Sequence, residues 1–325
     1  MNTGSYEVTV LVASYNPSWN SMKRTLCSIL NQEGIHYQIV VSDDGSEVTY
    51  FEKIKELLCE CGFEEFKLVR LDRNKGTCYN IYNGLLQSEG KYIKIIGPGD
   101  CLFDKSTLAN WVSYAKEKSA AVCFGDAVFF TQENDGRECI VSKRRYPQNV
   151  NPFISDEYCI KEAIYSYVLL GDVVWGANLI TEKEIMIQYL KRILGRIKYA
   201  EDMIYRMMIS NGEKMVYFPE NVIWYEYGTG ISTSKNNKWN AIIGEERRVS
   251  NEFVAEENVF KGIVRKRFCF VMKRLADKRK SWIKYVLFPG LISRKIKKEA
   301  IGAVTGTNYD INSLYQISRS KVNYE

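Results

Sequence analysis

Val8, Val10 and Val12 alternate along the chain with Leu11 between them, the pattern of a buried strand over residues 6–14. Tyr15-Asn16-Pro17 breaks that run, and Ser18 stands where a helix N-cap is needed. Trp19, Met22, Leu26, Ile29 and Leu30 then recur at helical spacing, predicting an amphipathic helix that ends near Gln32. The pattern repeats. A strand at 37–42 leads into Asp43-Asp44-Gly45-Ser46, and a helix at 51–61 turns Ile54, Leu57 and Leu58 inward. A strand at 66–71, the turn Asn74-Lys75-Gly76 and a helix at 77–88 follow. A strand at 91–96 then stops at Gly97-Pro98-Gly99-Asp100. Regular alternation of strand and helix implies βαβ units and a mostly parallel sheet. Right-handed crossovers place the strand ends 15–17, 43–46 and 97–100 along one rim, where open α/β sheets bind ligands.

The second half is less regular. It predicts a helix at 106–118, a strand at 120–130 interrupted by Gly125-Asp126, and a polar hairpin or loop at 131–147. A helix at 157–170, an extended stretch at 173–180 and a helix at 182–194 come next. Glu201-Asp202 opens a further helix that Gly212 closes. Two short strands at 215–218 and 222–227 precede the loop 228–233. No repeat or low-complexity segment is evident.

Composition narrows the chemistry. The chain has 325 residues, 46% of them hydrophobic, enough for one large domain with or without an appendage. The single histidine, His36, lies in a loop before a strand, which argues against a Ser-His triad or a His-based metal site. Catalysis must then rest on carboxylates. The nine cysteines contain no Cys-X-X-Cys pair and the first residues do not resemble a signal peptide, so the thiols read as reduced and the protein as cytosolic. No apolar run reaches the roughly 18–20 residues that span a bilayer.

The net charge of +6 is uneven. Residues 261–298 hold fourteen Lys or Arg against one acid, Asp277, a local +13 that leaves the remainder at −7. This divides the chain into a catalytic body, residues 1–240, and a helical basic C-terminal extension, residues 241–325.

Asp100 by itself is turn chemistry, as are Asp43 and Asp44, and Glu201-Asp202 alone suits a helix N-terminus. Their order and spacing say more. An apolar strand followed by Tyr15-Asn16, then Asp43-Asp44-Gly45-Ser46, then Gly99-Asp100, then Glu201-Asp202 resembles the family-2 glycosyltransferases of GT-A fold. The resemblance covers residues 8–233, is best over the first hundred, and extends to bacterial surface-polysaccharide enzymes.

That resemblance implies an inverting glycosyltransferase using a nucleotide-sugar donor, UDP-linked by preference. It would transfer a hexosyl or N-acetylhexosaminyl group to a glycan or lipid-linked acceptor. Ala13, Tyr15, Asp43, Asp44 and Gly76 would then line the donor nucleoside. Pro98, Gly99 and Asp100 would face the diphosphate, with Asp100 the ligand of Mn²⁺ or Mg²⁺. Asp202 would be the general base, with Glu201 as its orienting neighbour. Trp175 would stack on the acceptor sugar, with a buried strand Trp as the equal alternative. The loop 228–233 would close over donor phosphate, with an ordinary surface loop as its equal alternative.

The departures from the family pattern are specific. The family commonly carries Asp-X-Asp-Asp where this chain has Gly97-Pro98-Gly99-Asp100, so one acid remains. The Arg and Asn of the family's third helix fall on Ile81 and Tyr82. A catalytically inactive scaffold that binds nucleotide sugar or glycan is therefore the competing reading, and a nucleotidyltransferase is a third. In the basic extension, aromatic and aliphatic residues alternate with Lys and Arg, suiting the inner, anionic surface of a membrane. A helical hairpin packed on the body or a homodimer interface is the alternative. No motif for nucleic acid accompanies the charge.

Overall fold

The computed structural model describes residues 6–133, 137–154, 156, 158–228, 237–275, 277–302, 304–305 and 308–319. Its first half runs β1 (Val8–Ser14), α1 (Trp19–Leu30), β2 (Tyr37–Asp43), α2 (Phe51–Glu60), β3 (Phe66–Arg70), α3 (Thr77–Gln87) and β4 (Tyr92–Ile96). Each element lies where the hydrophobic pattern predicts it. Ser18 caps α1, its side chain accepting from the Ser21 amide at 3.1 Å.

Next come β5 (Cys101–Leu102), α4 (Thr107–Glu117), β6 (Val122–Gln132), β7 (Glu138–Val141) and β8 (Lys143–Arg144). They are followed by α5 (Ile160–Ala163), β9 (Leu179–Glu182), α6 (Lys183–Ile193), α7 (Met203–Asn211) and β10 (Met215–Glu226). The main sheet has the order β3-β2-β1-β4-β9-β6-β10-β5, with β7 on β6. Strands β3, β2, β1, β4, β6 and β10 all run the same way, while β9, β5 and β7 oppose them. The sheet is mostly parallel.

Alternation along the strands builds two layers. Val8, Val10 and Val12 of β1, with Ile39 and Val41 of β2, pack under α1, α2 and α4. Leu11 and Val40 face the other way, toward α3, α6 and α7. The sheet is thus covered on both faces, and the carboxyl ends of β1, β2 and β4 meet at one rim.

Four local expectations are corrected. The strand over 120–130 is not interrupted: β6 is continuous, and the irregularity lies in its partner, where the register shifts between Tyr217 and Ile223. Gly125 permits this, since a Cβ there would stand 2.7 Å from the Glu220 carbonyl. Met215–Glu226 consequently forms one bulged strand rather than two. The helix expected at 157–170 is the short α5 continued by a π-helical stretch, Ile164–Leu169. The stretch 173–180 is extended only at its end, because Gly176–Asn178 forms a 3₁₀ turn. That turn is held by Lys94 Nζ donating to the Ala177 carbonyl and by Asn178 Nδ2 donating to the Gly125 carbonyl at 3.0 Å.

The C-terminal part contains α8 (Asn237–Glu256), α9 (Gly262–Met272), α10 (Ile283–Leu287), α11 (Gly290–Ile301), β11 (Val304–Thr305) and α12 (Ile311–Ser318). Residue 240 falls inside α8. Val249, Phe253 and Val254 of α8 join Phe268, Val271, Met272, Phe288 and Leu291 in the same buried cluster as α6 and α7. At the far edge of the sheet, Leu314 and Ile317 of α12 pack with Cys101, Phe130 and Trp224.

Candidate active site

The loops after β1 and β2 are stitched together by side chains. The Asp44 amide donates to the Ser14 carbonyl at 2.9 Å, and the Asn16 amide donates to Ser46 Oγ at 2.7 Å. Asp43 accepts from the Ser46 amide (2.8 Å) and hydroxyl (2.5 Å), with Arg70 Nε at 3.5 Å. Asp44 accepts from the Lys75 and Gly76 amides at 2.7 and 2.9 Å. Burial raises the Asp44 carboxyl above its ordinary range, and these two N–H bonds oppose that rise. Both carboxylates therefore shape the loop as well as line it. Ala13 is partly buried beneath, and Tyr15 is 52% exposed, a ring face open at the rim.

Gly76 joins this loop to the rest of the site. Its φ is +94°, and a Cβ there would lie 2.7 Å from the Lys198 carbonyl. The same carbonyl accepts from the Cys78 amide at 3.0 Å. The segment before Glu201 is thereby laid against the start of α3.

Asp100 follows the Gly97-Pro98-Gly99 turn. Its Oδ1 accepts from the Glu226 amide of β10 at 2.9 Å, and its own carbonyl accepts from Thr25 Oγ1 at 2.7 Å. Burial pushes its carboxyl up to about 7, against the Glu226 N–H and the charge of Lys94. Lys94 is a fully buried lysine on β4, pushed down to about 7 by desolvation. The Glu226 carboxylate lies against Gly99, and Arg24, paired with Glu138, lies near it.

The second carboxylate group is Glu201-Asp202. Asp202 occupies the N-cap position of α7 but makes no capping bond, so capping does not consume its side chain. Burial raises the Glu201 carboxyl to about 8, with Asp202 adding repulsion. Asp202 is also raised by burial, opposed by Arg247 and Arg206. Arg206 is buried on α7, donates to Asn251 Oδ1 at 2.6 Å and leaves Nη1 without a partner. Glu201 Oε1 and Asp202 Cβ lie 3.6 and 3.8 Å from where a Gly176 Cβ would be. Since Ala177 is held by Lys94, the two acidic groups are bridged through the 3₁₀ turn.

Trp175 opens that turn. Its ring meets Phe129 at 5.7 Å, Tyr225 at 5.6 Å and Tyr146 at 6.0 Å, and it is only partly buried. Of the loop 228–233, residues 229–233 lie outside the described residues.

Among the described residues no group of three His, Cys, Asp or Glu side chains is arranged to hold a metal ion. The local donors are Asp100, with one oxygen engaged by Glu226, and the Glu226 carboxylate itself. This set fits a Mg²⁺ or Mn²⁺ ion completed by substrate phosphate oxygens rather than an all-protein cage.

Sequence reasoning missed Lys94, Arg206, Glu226, Glu246, Arg247 and the rings around Trp175. Lys94 alone left a signal, a charge inside an otherwise apolar strand. Glu226 and Tyr225 come from β10 and Glu246 and Arg247 from α8, remote in sequence from the motifs, whereas Arg206 lies one turn along α7 from Asp202.

Residues 9–159 match the model of Glycosyl transferase family 2. No curated protein matches the chain in sequence. Among solved structures, S. aureus TarS 1–349 in complex with UDP-GlcNAc is 15% identical, with 91% of this chain and 82% of that one covered at TM-score 0.57. The longer S. aureus TarS structure is matched over 50% of its length at TM-score 0.55 and 13% identity. The mannosyltransferase PcManGT from Pyrobaculum calidifontis, in complex with GDP-Man and Mn²⁺, is 13% identical over 97% of this chain and 79% of that one at TM-score 0.56. At these identities the likeness concerns the fold, a mixed α/β sheet covered by helices on both faces. Over residues 9–159 the chain thus carries a domain that matches the family-2 glycosyltransferases, and its fold is the GT-A fold.

Proposed function

We propose that the protein is an inverting transferase that moves a sugar from a nucleotide donor, UDP-linked by preference, to a glycan or lipid-linked glycan in surface-polysaccharide assembly. The carrying observation is the buried Glu201-Asp202 pair, whose Asp is free of capping duty and whose pKa is raised. A sugar hydroxyl is a poor nucleophile until a base takes its proton during attack. Asp202 is that base, and Glu201 orients it. With one base and no nucleophile positioned beside it among the described residues, the reaction is a single displacement with inversion at the anomeric carbon.

Tyr15 stacks near the donor base, and Ala13, Asp43, Asp44 and Gly76 surround the nucleoside. Pro98 and Gly99 shape the turn at the diphosphate. Asp100 would hold Mn²⁺ or Mg²⁺, with Glu226 as a second oxygen source, and the ion would neutralise charge on the leaving diphosphate. Trp175 presents an aromatic surface for the acceptor sugar, backed by Phe129, Tyr146 and Tyr225. UDP-GlcNAc in the TarS complex and GDP-Man with Mn²⁺ in PcManGT support a nucleotide-sugar donor.

Residues 241–325 serve as an extension that rests on an anionic membrane surface on the cytoplasmic side. No helix among the described residues is long and apolar enough to cross a membrane. Ile263 and Phe270 of α9, Trp282 and Val286 beside and within α10, and Ile292 and Ile296 of α11 are exposed at same-face spacings amid Lys and Arg. Flotation with anionic and zwitterionic vesicles tests this: binding to the anionic ones alone is expected. Unchanged flotation of a Trp282→Ala, Val286→Ser, Ile292→Ser, Ile296→Ser variant would sink the membrane assignment. A concentration-dependent dimer that this variant loses would assign the face to self-association.

Transfer activity is decided by nucleotide release from a panel of nucleotide sugars with Mn²⁺. Release by the wild type, lost in Asp100→Ala and Asp202→Asn, is the expected result. A wild type that binds a donor but releases nothing, equal to both variants, would favour the scaffold reading.

A further inference from the structure

The backbone amides just before the acidic pair are held from a distance in sequence. Its amides are gathered by one buried carboxylate from α8, Glu246. Oε1 accepts from the Lys198 and Tyr199 amides at 2.8 and 3.1 Å, and Oε2 accepts from the Tyr199 and Ala200 amides at 3.2 and 2.8 Å. Three consecutive N–H groups converging on one carboxylate make a rigid anchor, because charge-assisted bonds are short and strong and the carboxylate accepts several at once. The anchored stretch ends one residue before Glu201. At its other end the Lys198 carbonyl receives the Cys78 amide of α3. Glu246 therefore fixes the register between the nucleoside-side loop and the acidic pair.

We propose that Glu246 is a positioning residue for Glu201 and Asp202, which makes α8 part of the catalytic apparatus rather than part of an appendage. The proposal rests on the reading of Asp202 as base. Asp202 is surrounded by groups from five parts of the chain: Glu201 in its own segment, Tyr205 and Arg206 on α7, Tyr167 on the π-helical stretch, Cys78 on α3, and Glu246 and Arg247 on α8. Within that set the neighbouring α8 residues have opposite effects. The Glu246 charge disfavours ionisation of Asp202, and the Arg247 charge favours it. A purely mechanical prop would lack this electrostatic signature.

The test measures kcat, donor KM and the acid limb of the kcat–pH profile for Glu246→Gln, Glu246→Ala and Arg247→Gln, with Asp202→Asn in parallel. A base displaced by about 1 Å loses roughly 10²-fold in rate, so Glu246→Ala is expected to lower kcat by that order, with donor KM changing less. Glu246→Gln, which keeps the shape and part of the acceptor capacity, should lose less. Removing the Glu246 charge should move the acid limb to lower pH, and Arg247→Gln should move it to higher pH. The proposal is overturned if folded Glu246→Gln and Glu246→Ala keep wild-type kcat with an unmoved acid limb, or if their only change is in donor KM. Should Glu246→Ala fail to fold, Glu246→Gln decides alone. An active Asp202→Asn would instead defeat the reading of Asp202 as base, whatever the Glu246 variants do.

Discussion

Asp202 and Glu201 are neighbours in one buried segment, and burial raises both carboxyl groups, with Asp202 repelling Glu201 and Glu246 repelling Asp202. A base must be ionised to work, so kcat should fall as pH drops through the raised pKa of the pair. Asp202→Asn should lower kcat by about 10²–10⁴-fold, with nucleotide-sugar binding, read as a thermal shift, retained. The same burial has a consequence for stability. Glu201 is raised to about 8 in the folded chain, from roughly 4.3 when unfolded. The fold thus favours the protonated form: its contribution is fully present below the unfolded value and is lost as pH rises through about 8. Glu201→Gln should melt higher than wild type at pH 9 and show little or no such gain at pH 4. Equal gains at both pH values would argue that the side chain acts by packing alone.

Between elements, the junction of the 74–76 turn with the segment before α7 turns on one glycine. Gly76 has φ +94° and no room for a Cβ beside the Lys198 carbonyl. Gly76→Ala should destabilise the fold by about 1–3 kcal/mol, the usual cost of a strained left-handed residue, measured as a drop in denaturant midpoint. Donor affinity should weaken with it, because Asp44 accepts from the Gly76 amide. The motifs Asp43-Asp44-Gly45-Ser46 and Asn74-Lys75-Gly76 are legible in the sequence as turns. That Asp44 spans from one to the other is not, since nothing local links positions thirty residues apart.

Over the whole molecule, the C-terminal helices have two faces. Phe260, Phe268, Val271, Met272, Phe288 and Leu291 are buried, whereas Ile263, Phe270, Trp282, Val286, Ile292 and Ile296 are exposed. Truncation before Gly262 should expose apolar surface of α7 and α8 and lower the melting temperature, with aggregation visible in light scattering. Substituting only the exposed apolar residues should leave the melting temperature unchanged. If truncation is silent for stability, the packing of α9–α11 contributes nothing to the body. The alternative of a hairpin packed on the body and the idea of a membrane-facing surface are thus compatible, because they use opposite faces of the same helices.

The sequence by itself determined the elements of the first hundred residues, their parallel pairing and the rim that carries Asp43, Asp44 and Asp100. Short-range periodicity and right-handed crossovers leave few other arrangements. It also marked Glu201-Asp202 as a pair at a helix start. Tertiary structure alone decided the surroundings of those residues. Lys94 reaches Ala177, β10 brings Glu226 to Asp100, and α8 brings Glu246 to the Lys198–Ala200 amides and Arg247 to Asp202. Hydrogen bonds and charges act through space between segments that no local pattern connects, so which neighbours shift a carboxyl group becomes visible only once the chain has folded.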